Sequence, residues 1–318
     1  MTLRTVLRVG LGFGLLAVVL ARADLGDARR SLLRAHVSWL VVALLAQVGA
    51  KTLWAYRWSA LLRAAGYVRR TLELFGIVLV GLFFGSFLPS SVGGDVARGI
   101  ALAARGVPKA VAAASVLADR IVGVVSLAVA AACGGVLASR AETGRVTWLA
   151  EAAAAAVFGG AALLAMRPGL LGHVAARLPK AIAFRAQRVV DSFALVARKR
   201  GLMLLALLLS VGLVALSSVF CWSLARAIDI DVSFAAWLVI VPAVMLLSAI
   251  PLTPNGMGIR EAGFVGFLAT HGVPSSQGAL FAVLALILPL PFSVAGGVIF
   301  AAGEGRAVAG RPQEGGTS

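Results

Sequence analysis

Eight apolar runs of near-span length constrain this chain more than any other feature. They lie near residues 6–22, 37–54, 72–88, 111–138, 147–166, 202–225, 234–250 and 276–302, while a further apolar piece at 258–271 is too short to span. A helix needs about 20 apolar residues to cross the hydrocarbon core of a bilayer. Backbone polar groups in lipid must be satisfied within the segment, so such runs fold as helices. The expected fold is an all-α polytopic membrane protein. A mean hydropathy of +0.98 with 13% charged residues excludes an ordinary soluble domain. The net charge of +16 would suggest a nucleic-acid partner in a soluble protein. Here Arg and Lys gather in short connections between apolar runs, as cytoplasmic loops do, and no nucleic acid is expected.

Charge then assigns sides. The connection 167–200 holds Arg167, Arg177, Lys180, Arg185, Arg188, Arg198, Lys199 and Arg200 against Asp191 alone, and is read as cytoplasmic. Counting back, 139–146 is outside and 89–110 inside. An ordinary span at 72–88 would then put 55–71 outside, although that connection carries Arg57, Arg63, Arg69 and Arg70 with no acid. The conflict disappears if 72–105 is a re-entrant hairpin turning at "PSSVGGD". Treating 234–271 as a second hairpin, turning at "PLTPNGMG", places both termini in the cytoplasm. The organisation is six full spans plus two re-entrant helical hairpins, forming an inverted repeat. Repeat 1 covers about 1–138 and repeat 2 about 147–302, in a single domain over 1–302 with a polar cytoplasmic tail at 303–318. At the N-terminus, Arg4, Arg8, the run to Leu20 and "ARAD" read either as a cleaved signal peptide or as an uncleaved first span. The side assignment favours the span.

The two breaks carry the candidate site. Pro89-x3-Gly93 matches Pro254-x3-Gly258, with Gly94, Pro251 and Gly256 completing the turns. Proline ends a helix and glycine permits the turn and a close approach. Non-helical backbone at membrane depth survives only beside protein or a water-filled cavity, and broken helices near the midplane are a transporter device. Each following helix would present its positive end to an anion, with phosphate the obvious candidate in a lipid membrane. Charges of both signs come next: Asp95 and Arg98 after the first break, Arg260 and Glu261 after the second, and Asp119 and Arg120 inside the fourth run. Asp95 and Arg98 read either as a local ion pair steadying the break or as a headgroup site. Asp119 and Arg120, being adjacent, need separate partners and read as cavity-lining or as interfacial.

Other features have plainer readings. Cys133 and Cys221 are apolar packers. His36, His173 and His271 are scattered without metal-ligand spacing, so no metal, cofactor or catalytic residue is expected. Trp39, Trp54, Tyr56, Trp58, Trp148 and Trp237 are taken as interfacial aromatics, and Lys51 as snorkelling beside Trp54. Gly10/Gly14 and Gly81/Gly85 have the GxxxG spacing of close helix pairs. Glu151 sits near a helix start and reads as structural. Ile182, Ala186, Val189, Val190, Phe193 and Ala197 form a stripe read as an amphipathic helix on an anionic leaflet.

The stretches "FLPSSVGGDVARGIALAARGVPKAVAAASVLADRIVG" and "IPLTPNGMGIREAGF" resemble the two characteristic motifs of the lysylphosphatidylglycerol synthase transmembrane-region family, the flippase-like domain proteins. The resemblance covers roughly residues 5–302. Members often carry Glu where this chain has Asp95 and Asp119, so the charge is kept on a shorter side chain. The resemblance implies movement of a phospholipid or lipid-linked anionic headgroup between leaflets of the inner membrane. The chain ends in a short polar tail, so the aminoacyl-transferase activity of bifunctional members is not expected. A membrane enzyme acting on lipid phosphate, or a non-catalytic partner of a separate lipid-modifying enzyme, are the alternatives.

Overall fold

The computed structural model describes residues 34–87, 92–137, 180–249 and 253–309, with isolated positions at 14, 15, 17, 18, 160 and 169. The runs at 6–22 and 147–166, Pro89, Pro251, Trp148 and Glu151 lie outside the described residues. Those residues form helices α1 (Val37–Ala64), α2 (Thr71–Phe87), α3 (Gly93–Ala103), α4 (Lys109–Leu137), α5 (Lys180–Arg198), α6 (Arg200–Ala227), α7 (Phe234–Ala249), α8 (Ile259–Ala269), α9 (Ser275–Ile287) and α10 (Leu290–Ala309), with a 3₁₀ turn at Pro254–Gly256. Four stretches are long and apolar enough to cross a membrane: Val37–Ala64, Lys109–Ala130, Arg200–Ala227 and Ser275–Gly303. The chain is thus a helical integral membrane protein. The last of these stretches bends between α9 and α10, where Pro289 and Pro291 cannot donate to the helix ladder.

Helices of the two halves correspond in order and length. α1 and α6 have 28 residues each, α2 and α7 have 17 and 16, and α3 and α8 have 11 each. Both 11-residue helices end in the same tripeptide, Gly106-Val107-Pro108 and Gly272-Val273-Pro274. The two glycines take φ of +85° and +77°, the left-handed stop that glycine favours, and the proline starts the next helix. α1 and α6 run antiparallel: His36 N–H donates to Ala227 O over 3.0 Å at one end, and Arg57 reaches Ser210 toward the other. Between these, Gly49 faces Leu216 and Gly212 faces Leu53. Gly49 and Gly212 are 163 positions apart, as are Leu53 and Leu216. α2 packs on α10, and α7 packs on α4, so exchanging the halves maps these contacts onto one another.

Three apolar clusters hold the bundle. One, around Trp237, Phe264 and Phe281, joins α6, α7, α8 and α9 to Ala43 and Ala46 of α1. A second packs Phe193 and Val196 of α5 against Leu61 of α1 and Val122 of α4. The third sets Trp58, Leu62, Ile77 and Leu102 together beneath the first break. These clusters correct several expectations. Trp58 and Trp237 are fully buried and serve as core, not as interfacial aromatics. The stripe on α5 does not lie on a leaflet, since Val190 and Phe193 are buried against neighbouring helices. Helix periodicity is the same whether the apolar face meets lipid or protein. Lys51 sits at the middle of α1, about 20 Å from either end at 1.5 Å per residue, too deep to snorkel.

Candidate functional site

The site is built around Asp119, buried one-third of the way along α4. Oδ1 accepts from Arg57 Nε at 2.9 Å and from Nη2 at 2.8 Å. Oδ2 accepts from Trp54 Nε1 at 2.8 Å and Arg98 Nη1 at 3.0 Å. Arg98 uses its Nη2 on Asp95 Oδ1 at 2.6 Å, and the other oxygen of Asp95 accepts from Arg120 Nε at 2.5 Å. Arg57 also donates to Ser210 Oγ at 2.9 Å, tying in α6. The Arg98 guanidinium lies 4.8 and 5.0 Å from the ring centroids of Trp54 and Trp58, within cation–π range. Burial of carboxylates and guanidiniums at this depth is costly unless every charge is paired and hydrogen-bonded. That condition is met here.

Close backbone contact brings Arg98 into this network. A side-chain carbon at Gly94 would fall 2.5 Å from the carbonyl oxygen of Gly81, and one at Gly81 would meet Arg98 Cγ at 2.5 Å. Only glycine at both positions lets α3 lie against α2 with the arginine passing between them. The GxxxG reading of Gly81/Gly85 therefore finds its partner in α3, since Gly85 also faces Gly94.

Exposure is graded along the network. The Arg120 side chain is 51% exposed, Asp95 15% and Arg98 3%. Arg120 opens into a cavity of about 810 Å³ between α3 and α4. Its walls are apolar, from Val96, Ile100, Val116 and Leu117, with Asp95 and Arg120 at one end and Lys109 at the other. That volume lies within the range of small-molecule sites.

The second break is organised differently. Asn255, Gly256 and Gly258 all have positive φ, of 52°, 70° and 81°. Glu261 is fully buried; its Oε2 accepts from the Gly258 N–H at 2.6 Å, and Oε1 accepts from Arg260 Nε and Nη2 at 2.9 and 2.7 Å. The N-terminus of α8 is thus capped by its own Glu261 and does not offer its amide to an external anion. α3, by contrast, has no side-chain cap at its N-terminus.

Asp95, Arg98, Asp119 and Arg120 come together as one network, and Arg260 pairs with Glu261 in another. Asp119 and Arg120 do point apart, and Asp95 and Arg98 rejoin them. The shorter aspartates reach their partners directly. Arg57, Trp54 and Ser210 were missed. Arg57 was placed in a connection because hydropathy ends the run at Trp54, whereas α1 continues to Ala64. The helical spacing of Trp54 and Arg57 was the available signal. Among the described residues no group of three or more His, Cys, Asp or Glu is arranged to hold a metal ion.

Comparison with known proteins agrees with this geometry. The family model described as the lysylphosphatidylglycerol synthase TM region matches residues 5–297. An 88-residue stretch is 39% identical to a UPF0104 membrane protein of Archaeoglobus fulgidus, covering 28% of this chain and 27% of the relative's length. With the match running through both motifs and nearly the whole sequence, the chain belongs to the lysylphosphatidylglycerol synthase transmembrane-region family.

Proposed function

We propose that this protein moves an anionic phospholipid or lipid-linked phosphate headgroup between leaflets, through a polar path formed where the two broken helices meet. The observation that carries this reading is the Asp95–Arg98–Asp119–Arg57–Arg120 network, which holds three cations against two carboxylates inside a membrane bundle. Ionisable groups at such depth mark substrate pathways by default. The surplus positive charge suits an anion, and the apolar cavity beside Arg120 suits the attached chains.

The architecture is proposed as an inverted repeat with 72–105 and 234–271 as re-entrant hairpins. A transformation that exchanges two antiparallel helices, α1 and α6, is a two-fold axis perpendicular to them, hence in the membrane plane. The constant 163-residue offset at Gly49/Gly212 and Leu53/Leu216 supports that axis. The two breaks are joined by one face of α1, on which Gln47, Lys51, Trp54 and Trp58 recur at helical spacing. Both termini are assigned to the cytoplasm of a plasma (inner) membrane. On this reading the chain is a transporter, with membrane lipids as its partners, and not an enzyme.

The test is headgroup accessibility in liposomes containing purified protein, with a panel of anionic and glycosylated lipids. Lipid movement by the protein alone supports transport. Chemical conversion of the lipid would make it an enzyme, and neither outcome would leave a partner role.

A further inference from the structure

We propose that Lys51, Gln47 and Arg260 form a second anion station, distinct from the Asp119 network and taking a phosphate group at the midpoint of the bundle. Lys51 Nζ donates to Gln47 Oε1 at 2.8 Å. Among the described residues that is its one hydrogen bond, and no carboxylate lies within salt-bridge distance. Two ammonium protons are left over on a side chain that cannot reach either membrane surface. Arg260 stands close enough for its charge to act on both Lys51 and Cys221. The packing agrees: Phe264, one turn along α8 from Arg260, shares an apolar cluster with Ala43, Ala46 and Cys221.

Glu261 does not neutralise this pair of cations. Its two oxygens are taken by the Gly258 amide and by Arg260 Nε and Nη2, leaving Arg260 Nη1 without a partner among the described residues. One positive charge is therefore in excess. The unused donors of an ammonium and a guanidinium converge where hydrocarbon offers no acceptor. A phosphate supplies several charged acceptor oxygens and matches both donors. Lys51 lies about 4.5 Å along the helix axis from Trp54 and about 9 Å from Arg57, so the two stations are successive points on one face of α1. This inference rests on the transport reading only for taking the phosphate to be a lipid's. Free phosphate presents the same chemistry.

The test uses full-length purified protein and native mass spectrometry with phosphatidylglycerol, phosphatidylcholine and inorganic phosphate as separate probes. Lys51→Met should weaken phosphatidylglycerol retention about tenfold, the worth of one charge-assisted hydrogen bond. Lys51→Arg should retain most of it. Inorganic phosphate competing equally well would assign the station to the free ion. A measurement on the unaltered protein covers the case in which Lys51→Met fails to fold. The chain has four lysines; with ¹⁵N at Nζ, a midplane lysine dephased by lipid ³¹P in phosphatidylglycerol vesicles places phosphate at Lys51. Unchanged retention in a folded Lys51→Met protein, or no such coupling, overturns the proposal. Retention lost without any lipid movement by the parent protein would instead remove the transport reading and leave the station.

Discussion

Replacing Asp119 with asparagine tests whether the network is a paired structure or a loose collection of charges. The substitution conserves shape but removes the negative charge that Arg57 and Arg98 share, each held at 3.0 Å or less. It also turns an amide N–H₂ toward donors that already lack acceptors. Removing one partner from a buried ion pair costs about 3–5 kcal/mol, because the opposite charge is left uncompensated. Two arginines are affected, although Arg98 keeps Asp95 and the faces of Trp54 and Trp58, which places the expected loss in that range rather than beyond it. Thermal unfolding of purified Asp119→Asn protein, followed by loss of monodisperse material, reads the effect. The paired change Asp119→Asn with Arg57→Met should be less damaging than the sum of the two single changes, since both break the same contact. Additive losses, or an Asp119→Asn protein as stable as its parent, would refute the pairing.

Other expectations follow from the packing. Gly94→Val forces a side chain against the Gly81 carbonyl and should cost about 1–3 kcal/mol of stability by the same unfolding measurement; an unchanged midpoint would mean α2 and α3 are not in close contact. Phe193→Ala empties a fully buried site and should cost about 3–5 kcal/mol, whereas a helix resting on a leaflet would lose vesicle binding and little stability. In a protein lacking Cys133 and Cys221, single cysteines at Arg69 and Arg70 should label from the cytoplasmic side, and one at Arg34 from the opposite side. Labelling of positions 69 and 70 from outside only would remove the first hairpin.

Hydropathy and charge located much of this molecule. Six of the eight apolar runs coincide with described helices, and the breaks at residues 88–91 and 250–258 separate α2 from α3 and α7 from α8. Asp95 and Arg98 were legible as a pair because helical spacing is local. Arg57 was not, since its meaning depends on Asp119, 62 positions away. Lys51 was misplaced for a related reason. Its depth follows from where α1 ends, and the helix runs on through Tyr56, Arg57 and Arg63 after hydropathy has fallen. Trp54, Trp58 and Trp237 look interfacial by position in their runs, yet aromatic rings serve equally as core or as cation–π walls. The repeated Gly-Val-Pro at 106–108 and 272–274 was present in the sequence and is its clearest local mark of duplication.

The most direct test of transport through these charges compares headgroups and variants in one vesicle assay. Phosphatidylglycerol and phosphatidylcholine, each labelled on the acyl chain, are followed in liposomes bearing the parent protein, Arg98→Ala, Arg260→Ala, and Asp95→Asn paired with Arg98→Ala. The paired variant avoids stranding the Asp95 carboxylate that Arg98 holds at 2.6 Å. An anion path predicts faster movement of phosphatidylglycerol by the parent, with that advantage lost in both single variants and in the paired variant. Stable variants that move phosphatidylglycerol at the parental rate, or a parent that moves neither lipid, would contradict it.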